Sequence, residues 1–265
     1  MEAGNVTITA YNGAASDVIV PDQINGLPVT VIGEEGFSKT EIVSIVVPES
    51  VKIIRDAAFY DCKKLVSVRL PGGLTDIGYR VFEYCVSLSA VNLPAGITGV
   101  PERAFYGCSS LKAIEIPQAV TAIGRYAFER SGLVSVIIPG GVKAIEESVF
   151  STCRDLTSIE IPQGVTRIGF RAFMGCYALA SITIPQGVIT IGATAFSGCR
   201  ELAEVVIPNS VTGIGDSAFR NCVKLTAITI PFSVTTMGRR VFGGCANLDP
   251  AVKEEIESRF GSGVF

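Results

Sequence analysis

A proline returns at Pro48, Pro71, Pro94, Pro117, Pro139, Pro162, Pro185, Pro208 and Pro231. Seven of the eight intervals between them are 23 residues and one is 22. A fixed period of this length marks one supersecondary unit stacked on copies of itself, because a single unit cannot bury its own apolar face. The chain is therefore expected to be a repeat solenoid. Function in a solenoid is spread over a surface rather than gathered in one cleft.

Aligned on the proline, the unit reads V-T-x-I-G-x-x-A-F-x-x-C-x-x-L-x-x-I-x-I-P-x-G, clearest from Val165 to Gly187. Ten copies are traced by Phe37, Phe59, Phe82, Phe105, Phe128, Phe150, Phe173, Phe196, Phe219 and Phe242. The segment L-x-x-I-x-I, as in Leu156 to Ile161, is rich in branched residues and alternates at its end, so it predicts a short strand. Proline ends that strand because it cannot donate to a ladder. A tight turn follows, with glycine in five copies and Ser50, Ala119, Ser210 or Ser233 in four others, so the position does not demand positive φ. V-T-x-I predicts a second short strand. G-x-x-A-F-x-x-C does not alternate, and is expected to be one helical or 3₁₀ turn that points Ala and Phe inward. Like residues then stack on like, about 4.8 Å apart, in a parallel sheet. With 48% hydrophobic and 18% charged residues, the chain has ample material for one continuous core.

The expected organisation is an N-terminal cap and atypical first coil over residues 1–28, a solenoid of 22- and 23-residue repeats over 29–248, and a capping helix over 249–265. Together they are expected to form a single structural domain. Asp249 suits a helix N-cap and Pro250 the first helical position. Val252, Ile256 and Phe260 fall on one face, and Gly261 suits the stop.

Histidine is absent, which removes Ser-His, Cys-His and His-zinc arrangements. No G-x-G-x-x-G or G-x-x-x-x-G-K-[ST] phosphate loop occurs. The acidic pairs Glu34-Glu35, Glu146-Glu147 and Glu254-Glu255 read as solvated surface. No enzyme, cofactor or metal site is expected. The net charge of −3, without a basic run, gives no nucleic-acid footprint. No apolar stretch has the length of a membrane span. The first residues lack a basic region and an apolar core. This fits either a cytosolic protein or a secreted one whose leader lies outside this sequence.

The eight cysteines all stand three residues after a repeat Phe: Cys62, Cys85, Cys108, Cys153, Cys176, Cys199, Cys222 and Cys245. Ser131 splits them into runs of three and five, so pairing of neighbours would leave two thiols over. No CxxC or CxxxC pair offers metal-ligand spacing. Copies with Thr40 or Ser131 at this place also have a shorter link to the next strand. A buried column of thiols packing as small hydrophobes is expected.

These motifs resemble the BspA-type leucine-rich repeat. L-x-x-I-x-I-P followed by V-T-x-I-G-x-x-A-F-x-x-C carries the resemblance over about residues 5 to 248. The opening YNGAASDVIVPDQINGLPVTVIGEEGF, with Tyr11, Pro21 and Ile24-Asn25-Gly26, resembles that family too. The resemblance implies a right-handed, parallel-sheet, leucine-rich-repeat-like solenoid. It also implies a role, common in bacterial and some protist surface or secreted proteins, in adhering to host or extracellular proteins. It assigns no binding residue.

Two surfaces are candidates. One is the outward strand face, where the position four after the repeat Leu varies: Arg69, Asn92, Glu115 and Glu160 among others. The competing reading is ordinary sheet surface. The other is the turn edge around the Phe, which collects Tyr60, Tyr79, Tyr84, Tyr106 and Tyr126 among Arg80, Arg103, Arg125 and Arg130. Exposed Tyr and Arg are enriched at binding hot spots, although they could simply cover the ladder. The expected function is non-enzymatic protein binding or adhesion, extracellular or at the cell surface, with an extracellular-matrix or host surface protein as partner. The alternative is an intracellular scaffold, or a designed or consensus-like repeat protein without a natural ligand.

Overall fold

A computed structural model describes residues 4–265. The chain divides into two compact units, Met1–Gly132 and Leu133–Phe265. Both are stacks of parallel-strand coils.

In the first unit the strands Asp17–Ile19, Ser44–Val46, Ser67–Arg69 and Ala90–Val91 pair in that order. Their register is kept, with Ser44 opposite Ser67 and Ser67 opposite Ala90. A second ladder runs through Val6–Ile8, Leu27–Ile32, Ile53–Ile54 and Asp76–Ile77, and Gly99–Val100 pairs with Ala122–Ile123. In the second unit Ser135–Ile137 pairs with Ser158–Glu160, and Glu204–Val206 with Ala227–Thr229. Five V-T-x-I strands, from Ala144–Ile145 to Thr236–Met237, form its other ladder.

The strands are shorter than the sequence pattern suggests, at most three residues in the regular coils, because turn bonds claim their flanks; Leu111–Ile116 forms none and Leu179–Ile184 only a bridge at Ser181. Leu156 donates its N–H to Cys153 at 3.2 Å, and Val165 donates to Pro162 at 3.1 Å. The second bond recurs in every coil with a repeat proline, from Val51 to Pro48 at 3.0 Å through Val234 to Pro231 at 3.2 Å. Proline therefore ends one strand and accepts the bond that turns the chain into the next. The glycines of this turn are absent from the positive-φ positions, as the Ser and Ala substitutions imply.

The segment around the Phe differs from the helical or 3₁₀ turn expected. Its i→i+3 bonds are present, as from Tyr60 N–H to Ala57 at 2.9 Å. Two residues per coil are nevertheless left-handed, one two places before the Phe and one two places after. Arg80 (φ 59) and Tyr84 (φ 62) are such a pair. Left-handed non-glycine residues cost about 1–3 kcal/mol each unless their surroundings fix them. Here the next coil does so: Ala57, Phe59 and Asp61 donate to Tyr79, Val81 and Glu83 at 2.8, 3.0 and 2.7 Å. Alternate N–H groups thus bond within the coil and between coils, which a helical turn could not do.

The core is a column of rings. In the first unit Phe37, Phe59, Phe82, Phe105 and Phe128 stack at 5.3 to 5.5 Å between centroids. In the second, Phe150 to Phe242 stack at 5.2 to 5.9 Å. These separations lie in the favourable range for offset-stacked aromatics.

Residues 6–21 prove to be a coil in their own right. Val6–Ile8 supplies the V-T-x-I strand, Asp17–Ile19 the other strand, and Tyr11 a ring 5.3 Å from Phe37. A two-stranded antiparallel excursion, Gln23–Ile24 against Leu27–Pro28, separates this coil from the next. Asn25 (φ 53) and Gly26 (φ 79) form its tip, the left-handed pair that such hairpins need.

The helix Pro250–Phe260 forms as expected. The Asp249 side chain accepts from Ala251 N–H, and Gly261 N–H donates to Glu257. Ile256 is its one buried residue, while Val252 and Phe260 are half-buried. Arg259 fixes the helix by donating to the carbonyls of Ile230 and Pro231 at 2.7 and 2.9 Å. Beyond the helix the chain imitates another turn segment. Gly263 and Val264 accept from Arg240 and Phe242 at 2.9 and 2.8 Å, and the Phe265 ring lies 5.7 Å from Phe242. Deleting residues 249–265 should uncover Phe242 and the last sheet edge, lowering both the melting temperature and the soluble fraction. A soluble truncation melting with the full chain would contradict this role.

Candidate functional site

The thiol column has a bonding role that goes beyond packing. All eight cysteines are free and buried. The Sγ of Cys62, Cys85 and Cys108 donates to the carbonyl of Phe37, Phe59 and Phe82 at 2.9, 3.0 and 3.1 Å. In the second unit Cys176, Cys199, Cys222 and Cys245 repeat the bond to Phe150, Phe173, Phe196 and Phe219. Thr40, which stands in the Cys column, adds its own hydroxyl to the same Phe37 carbonyl at 2.8 Å. Burial pushes the thiols of Cys85, Cys108 and Cys176 well up and that of Cys199 to about 12. The thiolate is the reactive form, so Cys85, Cys108, Cys176 and Cys199 should react little with a thiol reagent at pH 8 in the folded protein. Bonds from Cys85 and Cys222 instead hold the thiols of Cys62 and Cys245 down, that of Cys62 to about 7. Unfolding should release eight titratable groups. Fast native-state modification of Cys85, Cys108, Cys176 or Cys199 would contradict the ladder.

The turn edge of the first unit brings most of the candidate residues together. Tyr60, Tyr84 and Tyr106 form an edge-to-face chain, with centroids 6.1 and 5.3 Å apart. Lys39 Nζ and the Arg80 guanidinium lie 5.8 and 4.7 Å from the Tyr60 ring. Arg103 and Arg130 lie 5.4 and 5.7 Å from Tyr106, and Arg103 is also 5.0 Å from Tyr126. Arrangements of this kind contribute about 0.5–2 kcal/mol each, more as the cation is desolvated.

Beneath the rings sits Glu83, only 1% exposed. Arg80 Nε donates to its Oε2 at 2.5 Å, and Arg103 Nη1 reaches Oε1 at 3.5 Å. The Glu83 carboxylate holds Arg80 above the usual guanidinium range. Burial, followed by the Glu129 carboxylate, pushes the Tyr106 phenol up. The left-handed positions of Arg80, Arg103, Tyr84 and Tyr126 project these side chains onto the edge.

The remaining candidates are not part of this cluster. Tyr79 is 59% exposed, with its N–H bonded to Asp56 at 2.9 Å, and it touches none of these rings. Arg69 and Glu160 are exposed on strand faces, Glu160 in the second unit, and Glu115 is exposed in a segment that forms no strand. Asn92 is occupied: its amide both accepts from Leu70 N–H at 3.1 Å and donates to Leu70 carbonyl at 3.2 Å, extending the ladder beyond Val91. Among the described residues no group of three or more Cys, Asp and Glu is placed to hold a metal ion. None of their helices is long and apolar enough to cross a membrane.

Parallel coils, a stacked Phe core and chemistry displayed along edges define a leucine-rich-repeat solenoid. The sequence profile of the BspA-type leucine-rich repeat region matches residues 30–157 and 143–265, in 6 copies. The chain belongs to that family. Among solved structures it resembles a leucine-rich repeat protein of Bacteroides ovatus at 23% identity, covering 100% of this chain and 95% of that one, with a TM-score of 0.51. One from Eubacterium ventriosum is 18% identical over 92% and 89% of the two chains, with a TM-score of 0.56. The pneumococcal vaccine antigen PcpA is 17% identical over 98% and 90%, with a TM-score of 0.52. At such identities the likeness is one of fold. No curated protein matches the chain.

Proposed function

We propose that the chain is a non-enzymatic, protein-binding solenoid of adhesion type, acting outside the cell or at its surface on an extracellular-matrix or host surface protein. Its binding surface is the aromatic turn edge of the first unit. The observation that carries this reading is the chain Tyr60–Tyr84–Tyr106, held by guanidinium groups that are themselves anchored on buried Glu83. Tyrosine and arginine are enriched among residues that dominate binding energy, tyrosine because it presents a large area with few rotors; Tyr60, Tyr84 and Tyr106 are half-buried here. Anchoring them in advance lowers the entropy lost on association. The family's frequent occurrence in bacterial surface proteins supports the location.

Capture from extracellular-matrix and host-surface protein preparations, followed by titration of the captured protein, tests the proposal. The double variant Tyr84→Ala/Tyr106→Ala should weaken binding by at least about tenfold, or roughly 1.4 kcal/mol, with the fold intact. Unchanged affinity in a folded double variant would overturn the assignment.

A further inference from the structure

The turn edge of the second unit has a different chemistry. Tyr177 is clasped on its ring faces by arginines of the flanking coils, Arg154 at 5.5 Å and Arg200 at 4.4 Å. Its ring lies back over the turn, where a side chain on Gly175 or Gly198 would stand 3.7 or 3.9 Å from Cε1. Farther along, a side chain on Gly243 would stand 3.7 Å from Arg220 Cγ and 3.5 Å from Arg240 Cβ, so these two arginines leave the turn side by side.

Arg154, Arg200, Arg220 and Arg240 are all exposed. None has a carboxylate partner among the described residues, whereas the nearby acids are engaged. Glu201 is held by Lys224 at 2.6 Å, and Asp216 accepts Arg239 N–H at 2.7 Å. The edge is thus a smooth, glycine-floored strip carrying uncompensated guanidinium groups on an otherwise acidic protein.

We propose that this edge binds a linear acidic polysaccharide, its arginines engaging sulfate or carboxylate groups of successive sugars. Arg154 and Arg200 are two coils apart, about 10 Å at the spacing of stacked strands. One small anion cannot bridge them, but a chain bearing a charge in each disaccharide can. The planar guanidinium fork matches such oxyanions bidentately. Single-stranded nucleic acid is the poorer fit, because binding it relies on open aromatic faces for base stacking. Here arginines cover Tyr177, and Arg171 lies 4.6 Å from the Phe170 ring.

Heparin and hyaluronate serve as probes, with single-stranded DNA and polyglutamate of matched charge as competitors. The wild-type chain should bind at least one of the two polysaccharides at low salt and release it as salt rises. Arg154→Ala/Arg200→Ala should weaken binding at least about tenfold and lower the salt slope by roughly two. Tyr177→Leu, which keeps every charge, should weaken it several-fold, while Tyr177→Phe should not. Binding of neither polysaccharide, equal affinity for DNA or polyglutamate, or a folded arginine variant with wild-type affinity would each overturn the proposal. So would a folded Tyr177→Leu chain that binds like wild type. Tyr84→Ala/Tyr106→Ala should leave polysaccharide binding unchanged, which separates this site from the protein-binding edge of the first unit.

Discussion

Replacing Phe196 by alanine should destabilise the second unit by about 3–5 kcal/mol. The ring is fully buried between Phe173 and Phe219, at 5.3 and 5.2 Å, and nearly parallel to both. Its removal opens a cavity in the middle of the column and forfeits two stacking contacts of about 0.5–1.5 kcal/mol each. The neighbours cannot close the gap, because their backbones are held by inter-coil bonds: Phe196 N–H donates to Ala218 at 2.8 Å, and its carbonyl accepts the thiol of Cys222 at 3.2 Å. Cys222→Ala removes that last bond and the packing of one buried sulfur, a loss of about 1 to 1.5 kcal/mol. Denaturant titration of both variants should give the phenylalanine change the several-fold larger effect. Similar losses in the two would mean that the thiol column carries as much of the core as the rings do.

The double variant Arg80→Ala/Arg103→Ala is expected to have a comparable effect in the first unit, about 3–5 kcal/mol. It strands the buried Glu83 carboxylate without a cation, and desolvation of an unpaired charge far exceeds the worth of an exposed ion pair. Adding Glu83→Leu should restore most of the loss, since an apolar group of similar size needs no partner. Thermal unfolding of the double and triple variants reads this directly. If the triple variant is no more stable than the double, the arginines act through their packing on Tyr60, Tyr106 and Tyr126 instead.

The fold was legible because the repeat writes each structural column into the sequence at one spacing. Proline, Phe and Cys all recur in step, and the structure gives each a single recurring bond or contact. Three elements escaped that reading. The coil at residues 6–21 lies out of step, because the hairpin at Gln23–Pro28 stretches the interval from Pro21 to Pro48 beyond the period. The left-handed residues flanking each Phe have no common side chain, since inter-coil hydrogen bonds of the backbone fix them. The imitation of a turn by Gly263–Phe265 comes after a helix that hides it from the alignment.

The candidate site was legible in part for the same reason. Tyr60, Tyr84 and Tyr106 stand near equivalent positions in successive coils, so their proximity follows from the period. Nothing in the sequence marks Glu83, yet it is buried and bonded to Arg80 and Arg103. Asn92 looked like a variable surface residue, yet it bonds the backbone of the coil before it. The Arg154–Tyr177–Arg200 sandwich could have been found by reading the residue after each Cys down the column, where these three follow at 23-residue steps.

Hydrogen exchange of the chain alone and with its captured protein partner maps the binding surface segment by segment. Protection is expected over the turn segments of Tyr60, Tyr84 and Tyr106, with little change at the strand-face residue Arg69 and at Glu115. Protection confined to the strand face, with the aromatic edge unchanged, would contradict binding through that edge.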